Sequence, residues 1–194
     1  MLEKKIISLY EKTGALQKGH FVLSSGKRSS IYLQSAIVLS YPEHLKTIGK
    51  FLTKKIKKLL DYKKIDLVVS PAMGGIVIGS KVGEELGVRA IFVERDGKNF
   101  SLRRGFRIKK KEKVLIVEDV VTTGKSSKEC SNCIQKNGGV IVGLASIIDR
   151  SNKKLNFGVP HISLAKINAP SYTINSLPKE LKLIPAEKPG SRKT

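Results

Sequence analysis

Apolar residues at helical spacing open the chain: Leu2, Ile6, Leu9 and Tyr10 fall on one side of a helix over residues 2–12. From Gly14 to Gln34 the texture changes. Two short apolar runs, Phe21-Val22-Leu23 and Ile31-Tyr32-Leu33, flank a polar turn at 24–30, the pattern of a hairpin. A long helix is predicted from Pro42 to about Leu60, with Leu45, Ile48, Leu52, Ile56, Leu59 and Leu60 as its apolar stripe. Its lysines (46, 50, 54, 57 and 58) fall largely on the other face, so the stripe packs on a sheet and the lysines stay in water.

Strands and helices then alternate. Leu67–Val69 leads through a turn at Ser70–Gly75 into a helix ending near Leu86, and Ala90–Val93 is the next strand. Val114–Val117 precedes a helix to about Lys136, and Gly143–Ile148 follows the Asn137-Gly138-Gly139 stop. Strands separated by helices of this length predict an α/β protein with a central, mainly parallel sheet and right-handed crossovers. Ligands of such sheets bind at the carboxyl ends of the strands.

One such end carries unusual chemistry. Val114-Leu115-Ile116-Val117 runs straight into Glu118-Asp119, then Val120-Val121-Thr122-Thr123-Gly124-Lys125-Ser126 opens a helix. Backbone amides, hydroxyls and a helix N-terminus suit a phosphate. Carboxylates repel phosphate, so the acidic pair must serve another part of the same ligand, and vicinal sugar hydroxyls are the natural candidates. Gly124-Lys125-Ser126 imitates the end of a P-loop, but the first glycine of that pattern would fall on Asp119. No G-x-G-x-x-G occurs, which removes support for a Rossmann dinucleotide site.

Composition narrows the field. The 194 residues suit one domain, and 40% hydrophobic content is globular. No apolar run approaches the ~20 residues of a membrane span, and the start lacks a signal-peptide core, so a cytoplasmic protein is expected. The net charge of +21 invites a nucleic-acid reading, but 29 of the 37 basic residues are Lys, spread along the chain, whereas base readout and phosphate clamping favour Arg. Attraction of highly anionic substrates explains the charge as well, and neither nucleic acid nor membrane is expected as a partner. Cys130 and Cys133 form a lone C-x-x-C without a second pair, and read as small, partly buried helix residues.

Three further segments fall at the same sheet edge. The glycines of Ser70–Gly75 let amides approach an anion closely. Some twenty residues between Val93 and Val114, without convincing regular structure, carry Arg95, Lys98, Arg103, Arg104 and Arg107 with Gly97 and Gly105, as a basic lid would; a solvated basic hairpin is the alternative. Asp149-Arg150 ends a strand, where Arg offers a fork for a carboxylate.

Val114 to Gly124 resembles the signature of type I phosphoribosyltransferases, which transfer the ribosyl phosphate of phosphoribosyl pyrophosphate to a base. The hairpin (Gly19-His20-Phe21-Val22-Leu23-Ser24-Ser25-Gly26 and Ile31-Tyr32-Leu33-Gln34), Asp149-Arg150 and Pro189-Gly190-Ser191-Arg192 are similar to the orotate branch of that family, so the resemblance covers nearly the whole chain. It implies the type I phosphoribosyltransferase fold as a single domain: an N-terminal hood at about 1–40, a core at about 41–170 and a tail at about 171–194. It also implies transfer of ribose 5-phosphate to orotate, giving orotidine 5-phosphate and pyrophosphate in pyrimidine (UMP) biosynthesis. Glu118 and Asp119 would hold the ribose hydroxyls, Val120 to Ser126 the 5-phosphate, and Ala72, Met73 and Gly74 the pyrophosphate. Thr122, Arg150, Ser25, Gly26 and Tyr32 would hold orotate, Arg150 through its carboxylate. Arg95, Lys98 and Arg103 of the lid would act in catalysis. Mg²⁺ held mainly by substrate oxygens, with no protein metal site, and a homodimer sharing its lids are further implications. The chain departs from many members: Ser24 stands for a Lys, Ala72-Met73 for a Tyr-Lys pair, and Gly97 to Arg104 for a Lys-x-His lid, so those catalytic Lys and His roles do not carry over. A phosphoribosyltransferase for another base, a phosphoribosyl-pyrophosphate-sensing regulator that binds nucleic acid, and a plain Lys-rich interaction protein stay open.

Overall fold

The computed structural model describes residues 2–23, 26–97, 99–152 and 154–189. Helix α1 spans Leu2–Lys12, strands β1 Leu16–Val22 and β2 Arg28–Leu33, and a short helix α2 Ser35–Leu39 leads into α3, Pro42–Leu59. The alternating part comprises β3 (Leu67–Pro71), α4 (Gly75–Leu86), β4 (Arg89–Asp96), β5 (Asn99–Ser101), β6 (Lys113–Val121), α5 (Lys125–Lys136) and β7 (Val140–Asp149). The chain continues through β8 (His161–Lys166), β9 (Ser171–Tyr172), α6 (Lys179–Lys182) and β10 (Ala186–Glu187).

The larger sheet has the order β5-β4-β3-β6-β7-β8, parallel except for the terminal β4–β5 pair. Strand β6 is central, and consecutive residues serve opposite faces because side chains alternate across a strand. Leu115 and Val117 enter a core closed by α1, α3 and α4, with Ile6, Tyr10, Ile48, Leu52, Ile56 and Ile78. Val114 and Ile116 enter a second core with Leu67, Val69, Ile91, Phe100 and Ile134. The unbroken apolar run at 114–117 follows from burial on both sides. Both cysteines belong to the second core as free thiols; they are buried rather than partly buried, held by helix α5 against the sheet.

Three regions differ from the sequence expectation. Strand β6 continues beyond Val117 through the acidic pair to Val121, because its pairing with β7 extends to Val121 opposite Asp149. Residues 94–97 and 99–101 are regular: β4 continues to Asp96, Gly97 has φ +60°, and β5 pairs antiparallel with β4, the form of a basic hairpin. Leu102, Phe106 and Ile108 tie the rest of that basic segment to the second core. The tail, in turn, supplies both edges of the second sheet, ordered β10-β1-β2-β9. Strand β10 pairs with β1 in parallel and β9 with β2 antiparallel, so the N-terminal hairpin and the tail form one layer. No helix among the described residues is long and apolar enough to cross a membrane.

Candidate active site

A cleft of about 590 Å³ opens where the hairpin layer meets the carboxyl end of β6. Its walls include Glu118, Val120 to Ser127 and Arg150 from the core, Val22, Leu23 and Tyr32 from the hairpin, Arg95 from β4 and Pro189 from the tail.

The 121–127 turn is built by packing. Gly124 has φ +73°, a left-handed conformation that disfavours other residues, and a Cβ there would lie 2.8 Å from the Phe157 ring. The turn is therefore pressed against Leu155 and Phe157 while Thr122 and Thr123 remain exposed to the cleft side. The Thr123 hydroxyl accepts from the Lys125 amide (3.3 Å), and the Lys128 amide donates to the Gly124 carbonyl (2.9 Å), starting α5. The exposed turn at the start of a 12-residue helix is a phosphate-sized cradle of amides and hydroxyls.

The two acids have separate supports. Glu118 is 6% exposed and accepts a hydrogen bond from the Ser127 hydroxyl at 2.9 Å. Burial, reinforced by the neighbouring charge of Asp119 and opposed by Ser127, pushes its pKa up to about 8. Asp119 turns its carboxylate inward against Gly74, where a Cβ would come within 2.6 Å of Oδ1. Burial raises its pKa as well, opposed by hydrogen bonds from the Val120 amide, the Ser35 hydroxyl and its own amide. Ser35 is in turn bonded to the Tyr10 hydroxyl at 2.9 Å, deep under the hairpin layer.

Arg150 is fixed at the far end of the cleft. Its amide donates to the Val121 carbonyl (2.8 Å), which sets the residue beside the phosphate turn. Its guanidinium is 6% exposed and donates through Nη2 to the Ser29 hydroxyl at 2.6 Å, and burial lowers its pKa. Asp149 faces away: its carboxylate accepts from the amide and hydroxyl of Ser151 (2.8 and 2.6 Å). Of the Asp-Arg pair only Arg150 lines the cleft.

Other residues singled out from sequence scatter more. Arg95 lines the cleft but pairs with Glu129 at 2.6 Å and stacks over Phe100. Arg103 lines a smaller hollow of about 300 Å³ with Glu94, Arg104 and Arg95, the last of which also lines the main cleft. Within 72–74, the Ala72 amide is engaged by the Val93 carbonyl, Met73 is 79% exposed, and Gly74 abuts Asp119; none of the three lines the cleft. Gly26 sits at the tip of the hairpin turn, outside the lining. Ser25 and Lys98 lie outside the described residues. Sequence reasoning missed Ser127, Ser29 and Ser35 as partners of charged site groups. A serine has no periodicity signature; only Ser127, one residue past the motif, carried a positional hint.

A mainly parallel sheet flanked by helices, with a cleft at the carboxyl end of its central strand and an N-terminal hairpin layer beside it, is the type I phosphoribosyltransferase architecture. The chain belongs to the phosphoribosyl transferase domain family, whose model matches residues 36–157. It is 44% identical over 193 residues, all of both chains, to an orotate phosphoribosyltransferase of Caldanaerobacter subterraneus subsp. tengcongensis. It is 47% identical over 192 residues to the enzyme of that name from Novosphingobium aromaticivorans, covering 99% of this chain and 98% of the relative. Among solved structures, orotate phosphoribosyltransferase from Aeropyrum pernix superimposes with a TM-score of 0.70 at 25% identity, over 86% of this chain and 94% of that one.

Proposed function

We propose that this chain is an orotate phosphoribosyltransferase that transfers ribose 5-phosphate from phosphoribosyl pyrophosphate to orotate, yielding orotidine 5-phosphate and pyrophosphate for UMP synthesis. The observation that carries the choice of base is Arg150, a buried residue in the cleft wall with no carboxylate partner among the described residues. Full-length relatives bearing that name support the reading and disfavour another base or a purely regulatory role.

In this assignment the 5-phosphate rests on Thr122, Thr123 and the amides up to Ser126, which form the exposed turn. Glu118 and Asp119 take the ribose hydroxyls. The bond from the anomeric carbon to the pyrophosphate oxygen breaks with the electron pair leaving on oxygen, a base nitrogen forms the new C–N bond, and its proton is lost. Positioning and neutralisation of the leaving group dominate such a displacement, which gives Arg95 a role as the cation of the arm already on the cleft wall. Ala72 to Gly74 is assigned to pyrophosphate, Arg103 and Lys98 to a closed form of the arm, and Ser25 and Gly26 to the base side of the hairpin.

The donors on hand suit Mg²⁺ bound chiefly through substrate. The cleft offers the Glu118 carboxylate and threonine hydroxyls, with Asp119 next to Glu118 along the chain, and among the described residues no three His, Cys, Asp or Glu side chains converge as a metal cage. Magnesium commonly takes substrate phosphates with one or two carboxylates, and would supply charge neutralisation on pyrophosphate. A cytoplasmic homodimer completes the proposal, with the exposed Met73 and Val77 as a patch that a second subunit would cover. The test is the fall of orotate absorbance after adding protein, phosphoribosyl pyrophosphate and Mg²⁺. Metal-dependent loss is expected; no loss, with phosphoribosyl pyrophosphate still bound, overturns the choice of base.

A further inference from the structure

Arg150 is an expensive residue to bury. An ionised guanidinium removed from water is tolerated where its donors are matched, yet Nε of Arg150 has no hydrogen-bond partner among the described residues. Its one described side-chain partner is Ser29, 121 positions away on the hairpin layer. Ser29 is fully buried, and its hydroxyl is already oriented by its own strand: it donates to the Ile31 carbonyl at 2.9 Å and accepts from the Ile31 amide at 3.2 Å. With its proton committed to Ile31, the oxygen can meet Arg150 only as an acceptor, the role a permanently charged donor needs. The 2.6 Å contact is short, as expected of a charge-assisted bond.

We propose that Ser29 is a positioning residue for base selection. Its hydroxyl pins one corner of the Arg150 guanidinium from the hairpin side, so that the remaining donors of the planar fork present a fixed edge to an anionic base. The guanidinium carries several donors in one plane; anchoring a single corner removes rotation about the terminal bonds and leaves two parallel N–H groups for a carboxylate. The hairpin layer thus takes part in base recognition through a residue that need not touch the base. Strand β2 is held at both edges, by β1 and by β9, which pairs Ser29 with Ser171. Distortion of that layer would therefore reach the guanidinium through one oxygen atom.

This inference rests on the assignment of orotate to the cleft, and the experiment separates the two. Steady-state kinetics are measured on the full chain and on Ser29→Ala and Ser29→Cys; the Cys variant keeps the volume but offers a weak acceptor. Ser29→Ala is expected to raise the KM for orotate roughly tenfold, the scale of losing a hydrogen bond to a charged group. The KM for phosphoribosyl pyrophosphate should change by less than about twofold, and kcat by less than about threefold, because neither the sugar-phosphate contacts nor the reacting atoms are touched. In an Arg150→Ala background the same Ser29→Ala change should leave the orotate KM unaltered, since non-additivity reports direct coupling. A merely structural serine would lower kcat or raise both KM values together, and would do so with Arg150 absent; that result overturns the proposal, as does an unchanged orotate KM. If Ser29→Ala loses its cooperative melt, Ser29→Cys carries the same comparison. Absence of orotate turnover in the unmodified chain would instead sink the functional assignment.

Discussion

The Gly124 turn at 121–127 and the basic arm at 94–107 approach the same cleft but are held by different forces. The turn is set by sterics: Gly124 in the left-handed region, the Phe157 ring against it, and the β6–β7 ladder running up to its first residue. The arm is set at its base by Phe100 and Phe106 in the second core, while its cations are engaged by carboxylates, Arg95 with Glu129 and Arg104 with Glu94. Packing defects cost a great deal because a dense interior cannot rearrange cheaply, whereas partly exposed ion pairs exchange at little cost. Under the proposed function, the half assigned to the sugar-phosphate would thereby be preorganised, and the half assigned to the leaving group would be free to trade protein carboxylates for substrate oxygens.

The sharpest way to break this contrast is Gly124→Ala. The new Cβ meets the Phe157 ring at 2.8 Å in a backbone region that costs a non-glycine residue about 1–3 kcal/mol. Displacing the turn by even a fraction of an ångström should lower turnover on the order of a hundredfold. Calorimetric binding of phosphoribosyl pyrophosphate, compared with the thermal midpoint, checks that affinity falls further than stability does. An unaffected variant would mean that the turn is as pliable as the arm.

The next effect concerns protons. Glu118, which ionises near 4.5 in an unfolded chain, is pushed up to about 8 in the fold by burial. Between these values the folded protein holds a proton that the unfolded chain has lost. The associated stability is complete below about pH 4.5 and drains away as pH rises through 8. The free protein should therefore lose thermal stability across that window, and Glu118→Gln should flatten the slope. Ligand hydroxyls donate best to the ionised carboxylate, so binding of phosphoribosyl pyrophosphate near neutral pH should release protons. Titration in buffers of different ionisation enthalpy measures that release, and its absence would remove Glu118 from contact with the sugar.

Much of this arrangement was legible in the sequence, for identifiable reasons. The 114–126 motif announces itself because a run buried on both faces cannot be polar, so carboxylates at its end stand out. The sheet order followed less well: β8 was overlooked although Ile162 and Leu164 are buried, because its six residues alternate like many exposed strands. Strands β9 and β10 have two residues each and leave no pattern to detect. The arm was read as irregular because its charges conceal Phe100, which alone anchors β5 in the core. Arg150 lines the cleft, whereas Arg103 lines the neighbouring hollow. Composition does not encode which way an arginine at a strand end turns. That is decided by a partner distant in sequence, as Ser29 is for Arg150.

On the arm, Glu129→Gln tests whether Arg95 is withheld from the ligand. The Arg95–Glu129 pair joins side chains that are 45% and 22% exposed, so screening limits its strength. Glu129 also lies 3.9 Å from Lys125, whose side chain lines the cleft. Neutralising the glutamate should therefore leave two cations with more charge for the substrate, lowering the KM for phosphoribosyl pyrophosphate by about twofold, with the gain fading at high salt. A raised KM would mean that Glu129 aims Arg95 at the ligand instead of competing for it.

Arg104→Ala should give the smallest change. Arg104 donates to one oxygen of Glu94 through Nε and Nη2, at 3.1 and 2.8 Å, and its guanidinium lies 5.9 Å from the Phe92 ring centroid; it lines the smaller hollow and not the main cleft. Its side chain is 63% exposed, so water replaces most of what the pair supplies. A thermal midpoint within about 1 °C of the unmodified chain is expected, with the KM for phosphoribosyl pyrophosphate unchanged. The informative outcome is kcat. If kcat falls while the midpoint and KM stay put, Arg104 must leave Glu94 and reach the transition state in a closed arm, and the arm's ion pairs are then resting positions that catalysis replaces. If kcat also holds, the catalytic share of the arm narrows to Arg95, the cation that the β4 strand already delivers to the cleft wall.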